Sequence, residues 1–127
     1  MNIYDLIIIG GGASGIMAAI TASQYSEKVL IIEKNNRIGK KVLVTGNGRC
    51  NYTNTLLKST DFNNPSFVEQ ILNQFSVEDT IAFFETLGIE PKFEDEGKTY
   101  PLSEQSSSFL DVFLYELKDI KKTRGLF

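Results

Sequence analysis

The chain has 127 residues with 42% hydrophobic side chains, which suits one globular domain with a modest core, and no apolar run approaches the length of a membrane span. Its net charge of −3 is unevenly spread: residues 1–60 carry 7 basic and 3 acidic groups, residues 61–127 carry 6 and 13, so the first half suits a phosphate-bearing ligand, while no Lys/Arg run is dense enough for nucleic acid. One cysteine, Cys50, and no histidine exclude an internal disulfide, imidazole acid/base catalysis and a histidine-based metal site; a reducing compartment, the cytoplasm, and no metal are expected.

Leu6 to Ile9 is a continuous apolar run with three β-branched residues, as in a parallel strand buried on both faces. Gly10, Gly12 and Gly15 follow at G-x-G-x-x-G spacing, a helix is predicted from Ala13 to about Tyr25, and Val29 to Ile32 is a second buried-strand run ended by Glu33. Strand, glycine turn, helix, strand and acid in register form a nucleotide-binding βαβ fingerprint. Gly10 permits the turn, and Gly12 has no Cβ to obstruct a pyrophosphate. Gly15, with Ala19 one turn on, lets the helix pack close to the sheet. The amides of Ala13, Ser14 and Gly15 lack intrahelical acceptors and sit at the positive end of the helix dipole, where phosphate binds. Glu33, 18 residues after Gly15, is placed to accept from ribose hydroxyls, and its charge opposes a 2′-phosphate.

A polar, basic loop, Lys34 to Lys41, leads through Val42-Leu43-Val44-Thr45 into Gly46-Asn47-Gly48-Arg49-Cys50-Asn51. Gly46, Asn47 and Gly48 all tolerate positive φ. Their amides are read equally as an anion nest, with Arg49 and Lys41 adding charge, or as a polar surface loop. Cys50 has no CxxC partner, so it reads as a loop cysteine rather than a redox thiol. Thr55 to Asn64 reads as a linker.

Asn64-Pro65 starts a helix with Phe67, Ile71, Leu72 and Phe75 at helical spacing. Ser76 and Asp79 make a capping-box-like start for another, with Val77, Ile81 and Phe84 as its apolar face and Gly88 as its stop. Ile89–Phe93 and Thr99–Leu102 read as two short strands around the turn 95–98, with Pro91 and Pro101 keeping both at an edge. A last helix starts among Ser106 to Ser108, with a stripe of Leu110, Phe113, Leu114 and Leu117. All these stripes read as core. No strand is read after this helix, so the sheet is expected to stop at two parallel strands and a hairpin, an incomplete domain.

Two stretches carry a family resemblance. Glu33-Lys34 with Gly39-Lys40 resembles the tail of the FAD fingerprint in the glutathione-reductase-like superfamily. Arg37-Ile38-Gly39-Lys40-Lys41-Val42-Leu43-Val44-Thr45-Gly46-Asn47-Gly48-Arg49-Cys50-Asn51-Tyr52-Thr53-Asn54 is more specific: it resembles the bacterial NAD(P)/FAD-dependent oxidoreductases known as aminoacetone-oxidase-like flavoproteins, as do Thr99-Tyr100-Pro101-Leu102-Ser103 and the last helix. The resemblance, over residues 2 to about 119, implies an α/β fold: a Rossmann-type FAD-binding βαβ unit of a doubly wound parallel sheet (1–54, including the glycine-rich loop), then helices and a short hairpin (55–127). It implies that Gly10, Gly12, Ala13, Ser14, Gly15, Glu33 and Lys34 hold the ADP half of FAD. It further implies that Lys41, Thr45, Gly46, Asn47 and Gly48 line the pyrophosphate-to-flavin region, and that the full-length protein is an oxidoreductase whose flavin transfers the electrons, with NAD(P)H a candidate donor.

Against this stand two other readings, an NAD-binding domain of a dehydrogenase and a non-catalytic nucleotide-binding fragment. Catalytic residues and the small-molecule substrate are not readable. The isolated chain is expected to self-associate through an unpaired apolar strand edge, to hold FAD weakly or not at all, and to be inactive alone.

Overall fold

The computed structural model describes residues 3–125. They fall into two compact units: residues up to Val44 together with those from Ser107 on, and Thr45–Ser106.

The first unit holds a parallel sheet. Strand β1 (Leu6–Ile9) leads into helix α1 (Ala13–Ser23) and strand β2 (Val29–Glu33). The β-branched residues favour the two strands, and the run of small residues in α1 lets it lie close to them. β1 and β2 pair in parallel from Leu6↔Val29 to Ile9↔Ile32. A third strand, Lys121–Arg124, pairs in parallel with β2 from Leu30↔Lys121 to Glu33↔Arg124. It becomes β6 when the second unit's strands are counted, and the order is β1-β2-β6. This corrects the expectation that no strand follows the last helix. The segment Lys-Lys-Thr-Arg has no apolar run to announce a strand. Charged residues nonetheless suit an edge, where they discourage further pairing. Its pairing is reinforced by Gly125 N donating to Glu33 O (3.1 Å) and by the Lys122 ammonium donating to Leu117 O.

The core of this unit lies around Ile16, Ala19, Val29, Ile31, Phe113 and Leu117, all nearly or fully buried. β2 is buried as expected; β1 is not. Leu6, Ile7 and Ile9 are 41%, 51% and 70% exposed, because β1 is an edge strand, with no neighbour on its far side among the described residues. An apolar, unpaired edge is a template for association. The 127-residue chain is therefore expected to self-associate at micromolar concentrations, and an Ile7→Lys/Ile9→Lys double variant to be monomeric. Light scattering coupled to size exclusion checks this; a monomeric wild-type chain would rule it out.

The second unit carries β3 (Thr53–Asn54), α2 (Pro65–Gln74), α3 (Val77–Thr86), β4 (Pro91–Phe93) and β5 (Lys98–Pro101). α4 (Ser106–Glu116) follows, beginning where this unit ends. Both helix starts are as read. Asn64 accepts from Phe67 N with Pro65 at the first position, and Ser76 and Asp79 form a reciprocal capping box. The antiparallel sheet has the order β3-β5-β4. β5 is thus central, not an edge. Pro101 fits there because β3 reaches only Thr99 and Lys98, so no ladder bond is asked of the missing N–H.

Two stripes depart from expectation. On α2, Phe67, Ile71 and Phe75 are exposed: their spacing makes a stripe but no element of this unit covers it. On α4, Phe109 takes the buried place expected of Leu114, which is 41% exposed. Phe109 packs edge-on against Phe113, with ring centroids 5.2 Å apart.

Candidate functional site

The glycine turn and the end of β2 form one side of a cleft of about 580 Å³ in the first unit. Its lining includes Gly10, Gly11, Gly12, Glu33, Lys34 and Asn35, with Arg37, Lys40 and Lys41 on the loop that follows. The volume lies in the range of small-molecule sites.

The three fingerprint glycines do different work. Gly10 has φ +101°, a conformation that L side chains rarely adopt. Gly12 has ordinary extended backbone, and a Cβ there would meet nothing within 4 Å. A Cβ on Gly15 would lie 1.9 Å from the carbonyl oxygen of Gly10, so this glycine is what lets α1 start against the turn. The first helical bond is Ile16 N to Gly12 O (2.9 Å). Among the described residues, the amides of Ala13, Ser14 and Gly15 therefore keep no intrahelical acceptor, and no side chain caps them.

Glu33 is fixed from two sides. Gly11 N donates to its Oε2 (2.7 Å), and Asn35 donates to its Oε1 through both its main-chain N (2.8 Å) and its Nδ2 (2.6 Å). Donation by the Asn35 main chain, then by Gly11, holds the Glu33 carboxyl below its ordinary range, against the smaller opposing cost of desolvation. Gly11, Asn35, Arg37 and Lys40 were not among the expected site residues, although Arg37 and Lys40 lie in the stretch that carries the family resemblance. Gly11 occupies a free position of the motif, but a Cβ there would lie 2.3 Å from Ile38 Cγ2, so this position too admits only glycine. Among the described residues Lys34, Arg37 and Lys40 enter no ion pair, so their charges are available to an anion in the cleft.

Of the expected site residues, the structure gathers Gly10, Gly12, Glu33, Lys34 and Lys41 in the cleft wall. Ala13, Ser14 and Gly15 follow directly as the first turn of α1. Thr45, Gly46, Asn47 and Gly48 belong to the second unit. There Gly46, Asn47 and Gly48 have φ of 58°, 58° and 82°, the positive values their residue types favour. The turn closes through Arg49 N to Gly46 O (3.1 Å) and Cys50 N to Thr45 O (2.8 Å). A Cβ on Gly46 would lie 2.5 Å from Asn51 N.

Arg49 does not lend this loop free charge. Its guanidinium pairs with both Glu94 and Glu104 and lies 4.0 Å from the ring centre of Tyr100. Lys92 completes the group, 2.6 Å from Glu104 Oε2. The bond from Arg49 holds the Glu94 carboxyl low, and those from Lys92 and then Arg49 do the same for Glu104. Arg49 thus ties the glycine loop to the β4–β5 hairpin instead of facing an anion.

Cys50 is 4% exposed, and burial pushes its thiol up to about 11. Its thiolate fraction at neutral pH is then about 100-fold below that of an ordinary thiol. Labelling by iodoacetamide is expected to be at least that much slower in the native chain than in denaturant. Fast native labelling would contradict the buried, inert assignment.

Residues 4–124 match the family profile described as the HI0933-like protein Rossmann domain. The chain belongs to that family. A 3-dehydro-bile acid delta(4,6)-reductase of Clostridium scindens is 44% identical to this HI0933-like domain over 115 residues, 87% of this chain and 28% of the relative. A ribosomal RNA dihydrouridine synthase of Escherichia coli is 36% identical over 91 residues, covering 70% and 23%. A shorter match, 33% over 51 residues, is to a flavin-containing amine oxidase A of Equus caballus, covering 40% and 10%. The domain spans about a quarter of the length of the first two. The crystal structure of Thermovibrio ammonificans THI4 superposes with a TM-score of 0.54 over 96% of this chain and 38% of its own, at 16% identity, which shows a shared fold. The chain is therefore a Rossmann-type domain of the HI0933-like family. Among its described residues no helix is long and apolar enough to cross a membrane.

Proposed function

We propose that the chain is the N-terminal FAD-binding segment of a flavin-dependent oxidoreductase and that the cleft beside β2 takes the ADP half of FAD. The observation that carries this is a carboxylate held at the end of β2 by Gly11 N and Asn35, across a glycine turn with open space at Gly12 and beside Lys34, Arg37 and Lys40, which enter no ion pair among the described residues.

The residues fit the group. A pyrophosphate brings two negative charges, which suit the uncapped start of α1 and Lys34, Arg37 and Lys40. An ionised Glu33 accepts from ribose hydroxyls and repels a 2′-phosphate. The loop Thr45–Gly48, with Lys41, serves the pyrophosphate-to-flavin part of the cofactor; its positive-φ turn supports a main-chain contact there. The bound flavin supplies the electron transfer, and this chain supplies binding and orientation. Two relatives that share this domain are named for different substrates, a bile acid and ribosomal RNA, which supports a substrate choice made elsewhere in the full-length protein. NAD(P)H as donor to the full-length protein is part of the same proposal.

Isothermal titration of the 127-residue chain with FAD, ADP, NAD and 2′-phospho-ADP tests this. FAD and ADP are expected to bind with similar affinities and 2′-phospho-ADP at least tenfold more weakly. Tighter binding of NAD than of FAD would favour a dehydrogenase domain, and no binding of any nucleotide by this chain or by the full-length protein would refute the proposal.

A further inference from the structure

We infer that Asn35 is a positioning residue that sets the Glu33 carboxylate for the ribose. The inference rests on the assignment of Glu33 to the ribose made above.

A carboxylate offers about four acceptor positions, two on each oxygen. In Glu33, Oε1 accepts both the main-chain and the side-chain N–H of Asn35, and Oε2 accepts Gly11 N. Glu33 is the last residue of β2, so its side chain leaves a rigid element, while Asn35 is exposed on the loop two residues on. The Asn35 main-chain bond alone would leave Oε1 free to turn about the side chain's own torsions. The second bond, from Nδ2, makes a closed pair of contacts on that one oxygen. Together with Gly11 on the other oxygen, the contacts set both the plane and the rotation of the carboxylate. The ligand thus meets a carboxylate already oriented, and the entropy of ordering it is spent in folding rather than in binding.

Asn35 is also the member of this set whose side chain can be changed without altering the turn, since Gly11 has no room for a Cβ. A residue that only stabilises the loop would affect every ligand of the cleft alike. A residue that acts through Glu33 affects only ligands bearing ribose hydroxyls.

The test uses the full 127-residue chain and titrates ADP and 2′,3′-dideoxy-ADP into the wild type, Asn35→Ala, Glu33→Ala and the double variant. The wild type is expected to prefer ADP about tenfold. Asn35→Ala should weaken ADP about three- to tenfold, the range for one hydrogen bond, and leave dideoxy-ADP unchanged. In a Glu33→Ala background the Asn35 change should have no further effect. Asn35→Asp, which keeps the shape but removes both Nδ2 donors, should narrow the preference at least as much as Asn35→Ala. Equal weakening of both ligands, no effect on either, or an undiminished effect in the Glu33→Ala background each overturns the inference. If Glu33→Ala itself leaves the preference for ADP intact, the ribose assignment fails and the inference with it; a normal Glu33 effect with an inert Asn35 sinks the inference alone.

Discussion

In the full-length protein, Gly12→Val is expected to abolish FAD binding while leaving the fold intact. The φ of −78° at Gly12 suits any residue, and a Cβ there meets no protein atom within 4 Å. Nothing in the chain opposes the substitution. The same open space is where the pyrophosphate would approach the backbone, and a branched side chain fills it. Gly15→Ala makes the opposite case. Its Cβ would sit 1.9 Å from Gly10 O, a main-chain atom that cannot step aside, so α1 must move off the turn. That variant is expected to lose stability by several kcal/mol, as overpacked and strained positions do. Circular dichroism melts and FAD titrations on both variants separate the two glycines. A Gly12→Val protein that keeps bound flavin through purification would refute the placement of the phosphate.

In the full-length protein, Glu33→Ala is expected to weaken FAD by about 1.5–3 kcal/mol, the usual worth of a hydrogen bond to a charged group, which is roughly 10- to 150-fold in the dissociation constant. Glu33→Gln keeps the shape but loses the charge and one acceptor oxygen, and should fall within the same range. The pH dependence follows from the same contacts. Hydrogen bonds from Asn35 and Gly11 lower the carboxyl's pKa in the folded chain. A carboxylate with a depressed folded pKa contributes fully above its unfolded pKa, and the contribution is lost as pH falls through the folded one. FAD affinity should therefore be flat through neutrality and decline only on acidification below the ordinary carboxylate range. Glu33→Gln should remove that acidic limb. Unchanged affinity in both variants would sink the ribose contact.

Much of the first unit was legible because its signals are local. Apolar β-branched runs mark Leu6–Ile9 and Val29–Ile32 as strands whatever surrounds them, and glycine spacing marks the turn between them. The caps at Asn64 and Ser76 were equally legible, since a side-chain oxygen reaches an amide only three residues away. Glu33 was found because its place at a strand end follows from register along the chain.

What the sequence left open depends on partners far away in it. Lys121–Arg124 has no strand signature, and becomes one only because β2 presents an unpaired edge about ninety residues earlier. Whether an apolar stripe is core depends on whether something covers it: Phe113 is 2% exposed and Phe67 is 59% exposed, though both sit at helical spacing. Arg49 could be read equally as charge for an anion nest or as part of a polar surface loop, until the fold set Glu94 and Glu104, 45 and 55 residues downstream, against it. Residue type and spacing determined the local conformations and the chemistry of the turn. Burial and charge pairing were decided by tertiary structure, because both depend on which distant groups share a neighbourhood.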